Sequence, residues 1–492
     1  MTSSATGRPE SGLRKNSLGV AGIVFFVVAA AAPLAASVGT APIAFAFGGP
    51  SAPLAYLVVG AVLLLFSVGY ARMSRHVTSA AGLAAFVERA LGREAGFGCA
   101  FVAALSYGAI VTGVYGAFGF FLSFSLEARF GVHVSWFACT AVAWLLVSVL
   151  GYLAVELSAR VLGVLLVLET AILVVFDVVS TARGGADGVR FDAFDPSLLA
   201  SGTGLGIALL FAAGAFIGFE ATAIYGEEAK APRRTVAIAT YVSVLSIAVF
   251  YTVTMWALGN AYGSAQVVQQ ASENPGGFVL DAITTYLGTW TADLSNALIV
   301  TSYFAGLLAL HNTLARYVMS LGRAGGLPKA LGGVHHRWRS PHIVSVAVAA
   351  VTAVVVTGFA LGGADPFRQL FAWLTGLATV GIFVLQAGAS LAVVVYFWRR
   401  GDRPGWATTI APAIAFVAIC AVIVLALLNW DVLSGATEGP ATMLPWLIVI
   451  PAALGVAAAI VRRHHISSLS GPEPGTGVEA AAKSEGVPGT RT

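Results

Sequence analysis

Hydrophobic positions run through this chain in long blocks, separated by short polar stretches. A block of about 20 apolar residues matches a helix crossing the ~30 Å hydrocarbon core of a bilayer. Strands of a buried parallel sheet would give runs of about four to eight, and outer-membrane barrels would give alternating segments of about ten. Neither pattern occurs here. The blocks predict an all-α integral membrane protein of about twelve transmembrane helices. The spans fall at 18–47, 52–72, 95–125, 132–151, 157–182, 202–226, 235–260, 288–321, 342–362, 367–398, 406–429 and 441–462. Several are longer than a perpendicular crossing needs, so they must tilt, break or protrude.

The polar positions then set the orientation. Of the 27 basic residues, 23 fall at the termini and in alternate loops; only Arg129, Arg183, Arg190 and Arg368 fall on the other side. Basic loops stay cytoplasmic, so both termini are expected in the cytoplasm and the protein in the cytoplasmic membrane. An odd span count would scramble the alternation. Composition agrees: 58% of the 492 residues are hydrophobic, 10% are charged, and the mean hydropathy is +0.86. Soluble domains carry roughly 25% charged residues. The net charge of +4 follows from topology and implies no nucleic-acid partner. Cys99, Cys139 and Cys420 lie in apolar stretches without a CxxC pair and read as small core residues.

The organisation read from this pattern has four parts: a polar cytoplasmic segment at 1–17, a ten-helix core at 18–398, two further spans at 399–466, and a tail at 467–492. The first apolar stretch has no small-residue cleavage site and reads as a retained span. The tail is rich in Gly, Pro, Ser and charge and is expected to be disordered.

Two spans look broken. Span 1 contains Pro33-Leu34-Ala35-Ala36-Ser37-Val38-Gly39-Thr40-Ala41-Pro42, and span 6 contains Phe211-Ala212-Ala213-Gly214-Ala215-Phe216-Ile217-Gly218-Phe219-Glu220. Irregular backbone at membrane depth survives only where it lines a cavity, and broken spans in corresponding places of two halves point to a binding site. Spans 1 and 6 are five apart, which fits a five-plus-five inverted repeat with two spans added. Unwinding frees N–H groups at the positive end of the second half-helix. In span 1 these are expected around Ser37, Val38, Gly39 and Thr40, where they suit a carboxylate. Carbonyls ending the first half-helices, near Ala36 and from Phe211 to Gly214, suit an ammonium.

Two acids lie inside spans, Glu169 and Glu220. A mid-bilayer acid costs roughly 2.5–3.5 kcal/mol on insertion scales, so it usually faces a cavity or a proton path. Low-dielectric burial favours the neutral acid, so such a group can carry a proton. The structural alternative is a neutral acid bonded to a neighbouring carbonyl. Asp177 sits nearer the outer end of span 5 and reads as structural, and His311-Asn312 reads as a packed, hydrogen-bonded pair. No motif for nucleotide binding, zinc hydrolysis, a nucleophile elbow or paired CxxC is present. Neither an enzyme nor a cofactor is expected.

At these residues the chain resembles the amino acid–polyamine–organocation superfamily over roughly residues 15–400. The similar pieces are Tyr70-Ala71 with the basic stretch Arg72-Met73-Ser74-Arg75, then Ala80-Ala81-Gly82; Gly218-Phe219-Glu220; and Glu227-Glu228-Ala229-Lys230-Ala231-Pro232-Arg233-Arg234. Arg316, Arg323-Ala324-Gly325-Gly326-Leu327-Pro328 and Ser340-Pro341 follow in the expected order. Thr78, Ala81 and Ala84 depart from the usual Pro, Gly and Tyr. The resemblance implies the leucine-transporter fold, with discontinuous spans 1 and 6 and with spans 1, 3, 6, 8 and 10 around a central site. Tyr107, Phe216, Gly218 and Phe219 are then expected at the pocket. Some proton-coupled relatives look similar around Ala159-Arg160-Val161 but carry Lys where this chain has Glu169.

Together these features predict a secondary carrier for an amino acid or related amine, importing with protons, or with sodium in their place. Glu169 and Glu220 are the expected coupling and gating groups. An exchanger of the same fold and a non-transporting membrane receptor or subunit are the alternatives. Which amino acid is carried, and in what oligomeric state, is not written in the pattern.

Overall fold

The computed structural model describes residues 19–77, 79, 81–153, 159–197, 204–220, 222, 232–338, 340–435, 439–464 and 466–469. The segment 1–17, most of the tail and the part of the span 6 motif from Glu227 to Ala231 fall outside this set, except that residues 467–469 of the expected tail are included; the motif continues into the described helix at Pro232. Among the described residues the chain is helical, without a strand.

A helix stands at each expected span. Span 1 is two helices, Val20–Ala31 and Pro33–Gly48, and span 2 is Ala52–Met73. Spans 3, 4 and 5 are Arg93–Phe130, Trp136–Tyr152 and Ala159–Ala182. The first half of span 6 is Leu205–Gly214, and span 7 is Pro232–Tyr262. Spans 8 and 9 are Thr289–Ala324 and His342–Leu361. Span 10 is a π-helical turn, Pro366–Phe371, continued by Ala372–Arg399. Span 11 follows at Ala411–Leu428, and span 12 combines Pro440–Ile448 with Val449–Val461. Among the described residues, nine helical stretches are long and apolar enough to cross a bilayer, and one of them, Pro33–Met73, holds two of the expected spans. Trp136–Tyr152 and Leu205–Gly214 are apolar but shorter. Three connecting helices, Leu83–Leu91, Val267–Glu273 and Phe278–Leu287, are not foreseen in the hydrophobic blocks.

The spans divide into an inner and an outer set. The apolar window of span 3 is 72% buried, whereas that of span 12 is only 22% buried. Spans 4, 5, 7, 9, 11 and 12 turn large aliphatic side chains outward, among them Leu145, Val167, Val249, Val354, Val417 and Ile450. These are lipid-facing positions, since a bilayer exerts no hydrophobic force to bury them. Spans 1, 6 and 10 lie inside, and the second half of span 1 packs along the first half of span 6. The contact is backbone to backbone. A Cβ on Gly204 would collide with the Phe47 carbonyl, and one on Gly48 would collide with the Ala208 methyl. Small residues permit such close approach in membranes.

The break in span 1 is one residue long and lies at Ala32, not at Ser37–Thr40. Ala32 is left-handed (φ 45°, ψ 71°) and is the sole non-glycine residue with positive φ among those described. Pro33 explains the position, since a proline disfavours the α region for the residue before it and sits comfortably at a helix start. Ser37 and Thr40 lie within the helix that follows. Their hydroxyls turn back to the carbonyls of Pro33 (2.8 Å) and Ala36 (2.8 Å). The helix continues through Pro42. The expected freeing of donors at Ser37, Val38, Gly39 and Thr40 is therefore corrected: the first-turn donors without a partner inside the helix are those of Leu34 and Ala35.

Residues 467–469, at the start of the expected tail, are packed. The Ser467 N–H donates to the Ala324 carbonyl at 3.0 Å, the Ser468 hydroxyl to Glu88 at 3.0 Å, and Leu469 is buried.

Candidate functional site

Each break is closed by a carboxylate. At the span 1 break the Glu169 side chain of span 5 receives the Leu34 N–H and, at 3.0 Å, the Ser302 hydroxyl of span 8. The positive end of the half-helix beginning at Pro33 thus faces an acid, as the helix dipole favours. The carbonyls around the break are also taken. Tyr251 of span 7 donates to Ala31 at 3.0 Å, and Tyr303 of span 8 donates to Ala35 at 2.9 Å. Thr40 shares a 2.6 Å hydrogen bond with Tyr56 of span 2. Glu169 itself is buried, at 3% exposure.

The span 6 break follows Gly214 as a series of tight turns. Ala215, Phe216 and Ile217 donate to the carbonyls of Phe211, Ala213 and Gly214, so the carbonyls expected to be free for an ammonium are occupied within the chain. Gly218 has φ 113°, a conformation that L side chains avoid. Its N–H donates to Glu220 Oε2 at 3.0 Å, while Tyr107 of span 3 donates to Oε1 at 2.8 Å. Tyr70 of span 2 donates to the Glu220 carbonyl at 2.7 Å. Both oxygens of this acid are bonded, and the side chain is 4% exposed.

Between the breaks lies a cavity of about 80 Å³. Span 1 contributes Ala31, Ala32, Ala35, Ala36 and Thr40, span 3 Ile110 and Val114, and span 6 Gly214, Ala215 and Ile217. Span 8 adds Ser302, Tyr303, Gly306 and Leu310, and span 10 adds Phe371 and Thr375. That is well above the roughly 10–15 Å³ needed to hold one water, so the cavity has room for several water-sized groups. No charged side chain lines it among the described residues. Its polar groups are hydroxyls, and the Thr375 hydroxyl is buried without a partner. Ala35, a first-turn residue, lines the same wall as the helix start.

Aromatic layers bracket the cavity. On the side away from the basic loops, Phe120, Phe367 and Phe371 stack at 5.0 and 5.3 Å, and Phe121 stacks on Tyr303 at 5.4 Å. Toward the basic loops, Tyr107 meets Tyr317 at 6.0 Å and Phe219 meets Phe66 edge-on at 5.9 Å. A second cavity of about 20 Å³ lies in that inner layer, lined by Tyr107, Glu220, Tyr317 and Ala84 among others.

Of the residues singled out in the sequence, Ala36, Thr40 and Gly214 line the central cavity. Gly39 stands directly behind its wall, where a Cβ would lie 2.6 Å from the Tyr303 hydroxyl and 3.0 Å from Phe371. Tyr107 and Glu220 belong to the inner cavity. Ser37, Val38, Phe211, Phe216, Gly218 and Phe219 are not among the described lining residues of either cavity. Phe216 instead packs edge-on against Tyr251. Sequence reading missed Ser302, Tyr303, Phe371 and Thr375. Ser302-Tyr303 followed by Gly306 one turn later was the available signal in span 8, a polar, small-residue face in an apolar span. His311 is buried and bonded to Ser345 of span 9 at 2.7 Å, the packed role expected of it.

The family described as amino acid permease matches residues 18–454. The chain is 23% identical to the branched-chain amino acid permease BcaP of Bacillus subtilis (strain 168) over 374 residues, 72% of this chain and 76% of that one. It is 23% identical to BcaP of Lactococcus lactis subsp. cremoris (strain MG1363) over 420 residues, 78% and 84% of the two chains. An uncharacterized transporter of Mycobacterium bovis is 26% identical over 308 residues, 62% of each chain.

Proposed function

Because the chain belongs to the amino acid permease family, a family of multi-pass membrane transporters, we propose that it carries a small aliphatic amino acid of the branched-chain kind into the cell, driven by protons. The observation that carries this reading is the uncharged cavity between the two broken spans. A basic or acidic side chain would need a counter-charge in the lining, whereas a branched aliphatic one needs only Ile110, Val114, Leu310 and Phe371. The α-carboxylate fits the first-turn end of the helix beginning at Pro33, near Ala35, and the α-ammonium fits the unpartnered Thr375 hydroxyl. Two relatives are branched-chain amino acid permeases by name, which supports the same substrates.

Proton coupling is assigned to Glu169. As a carboxylate it accepts from both Leu34 and Ser302, tying the span 1 break to spans 5 and 8. As a neutral acid it accepts less strongly and donates one hydrogen bond of its own. The hold on the break therefore depends on the proton. Tyr107 and Glu220 form the gate on the basic, cytoplasmic side, with both termini on that side and the protein in the cytoplasmic membrane.

Thermal unfolding with added leucine, isoleucine, valine, lysine, glutamate and putrescine tests the reading. A ligand at 100 times its Kd stabilises by about 2.7 kcal/mol. The three branched-chain amino acids are expected to raise the unfolding temperature. Gly39→Leu, which drives a side chain at Tyr303 and Phe371, is expected to abolish that rise in a monodisperse protein. A rise with lysine or putrescine alone rejects the substrate class. Counterflow that ignores pH would favour exchange over proton-driven import.

A further inference from the structure

A third acid is buried in the membrane. Asp177 lies eight residues beyond Glu169 on span 5 and is 7% exposed. Glu169, Leu173 and Asp177 follow one another at intervals of four, so they share a stripe of the helix. The two acids are about 12 Å apart along the axis, with fully buried Leu173 between them. Asp177 differs from Glu169 and Glu220 in its bonding. One oxygen accepts from Thr254 of span 7 at 2.9 Å, while Oδ1 is buried and has no partner. A carboxyl oxygen left unpaired in the interior is costly, and this one is open to a partner that the protein does not itself supply.

The neighbouring titratable groups are engaged elsewhere. On the outer parts of the elements packed against span 5, Tyr262 donates to the Phe278 carbonyl and Tyr286 to the Ala261 carbonyl. Asp281 bonds Asn274, and Asp293 pairs with Arg129. On span 5 itself, Arg183 acts on Tyr286. What does lead inward from Asp177 is span 7. Thr254 holds Asp177, and one turn inward Tyr251 holds the Ala31 carbonyl at the break and lies within electrostatic reach of Glu169. Asp177 of span 5 thus meets a hydroxyl of span 7, and a second span 7 hydroxyl stands one turn inward, near the break that Glu169 closes.

We propose that Asp177 is the outer station of a proton route to Glu169. This rests on the reading of Glu169 as the coupling group. The proton taken up at the Asp177 carboxylate passes to the Thr254 hydroxyl as that hydroxyl turns to accept from the acid, then to water admitted when Leu173 swings aside, and on through the Tyr251 hydroxyl, which leaves the Ala31 carbonyl while it accepts one proton and releases its own toward Glu169. It protonates the Glu169 carboxylate, and the Asp177 carboxylate left behind is reprotonated from outside. Asp177 acts through Glu169 and is a positioning and delivery residue, not a substrate ligand.

The test is the rate at which Glu169 gains its proton, which needs no substrate. Protein in proteoliposomes of uniform orientation is acidified from outside and followed by time-resolved infrared spectroscopy. The carboxyl band that Glu169→Gln removes is the Glu169 signal. In Asp177→Asn this band is expected to reach the same amplitude about tenfold more slowly, because the delivering group is gone. Thr254→Val is expected to slow it about threefold, and Asp177→Glu to restore it within about twofold. An unchanged rate in Asp177→Asn overturns the relay and leaves Glu169 as the coupling group. If Asp177→Asn does not fold, Thr254→Val decides, and an unchanged rate there overturns the relay. If acidification produces no band that Glu169→Gln removes, the coupling reading fails and the relay with it.

Discussion

The two breaks solve one problem in opposite ways. At the span 1 break a single left-handed alanine turns the chain, and the acid that meets the freed N–H comes from another helix, Glu169 of span 5. At the span 6 break several residues turn the chain through Gly218, and the acid that meets the freed N–H lies two residues farther along the same chain. The first arrangement makes the break a joint between spans 1, 5 and 8, so whatever happens to the acid is felt by three spans. The second finds its acid within its own segment, and two tyrosines, Tyr107 of span 3 and Tyr70 of span 2, fasten it from outside. A carboxylate supplied from outside suits coupling, and one supplied from within suits a latch.

The comparison is broken most directly by neutralising each acid in turn. Glu169→Gln is expected to cut gradient-driven accumulation in proteoliposomes by about tenfold or more while counterflow stays within about threefold. Glu220→Gln is expected to slow both modes together. If both variants accumulate substrate equally under an inward proton gradient, the division of roles is wrong.

Backbone substitutions sharpen the comparison with smaller effects. Gly218→Ala forces a side chain onto φ 113° and is expected to destabilise by about 1–3 kcal/mol, seen as a lower unfolding temperature without ligand. Ala32→Gly relieves the left-handed alanine. The relief of about 1–2 kcal/mol is partly offset by the entropy that glycine loses on folding, so a net gain of about 0.5–1 kcal/mol is expected. A loss of stability on Ala32→Gly would mean that the turn at span 1 is not held under strain.

The sequence made the spans, the basic face and the presence of both breaks legible, because each is local: an apolar block, an arginine in a loop, a proline or glycine inside a block. The exact turn at span 1 was misplaced by a few residues. Two prolines suggested a break midway between them, whereas the residue before Pro33 takes the strain and the helix runs through Pro42. Ala36, Thr40 and Gly214 were found because they belong to the breaks themselves. Tyr303, Phe371 and Thr375 were not, since they come to the cavity from spans 8 and 10 and nothing in their own neighbourhoods says so. Asp177 read as a structural residue near the outer end of span 5. It is buried because the unforeseen helix Phe278–Leu287 packs against span 5 there, with Tyr286 edge-on to the neighbouring Phe176 at 6.0 Å.

The seat of Gly204 on the Phe47 carbonyl has a mechanical consequence. No side chain stands between the two backbones at that point, so the spacing of the spans there is set by the backbones themselves. At this end spans 1 and 6 meet as closely as two backbones can, whereas the turns at Ala32 and Gly218 lie toward the other end. Any substitution that adds a side chain at Gly204 must therefore part the two spans.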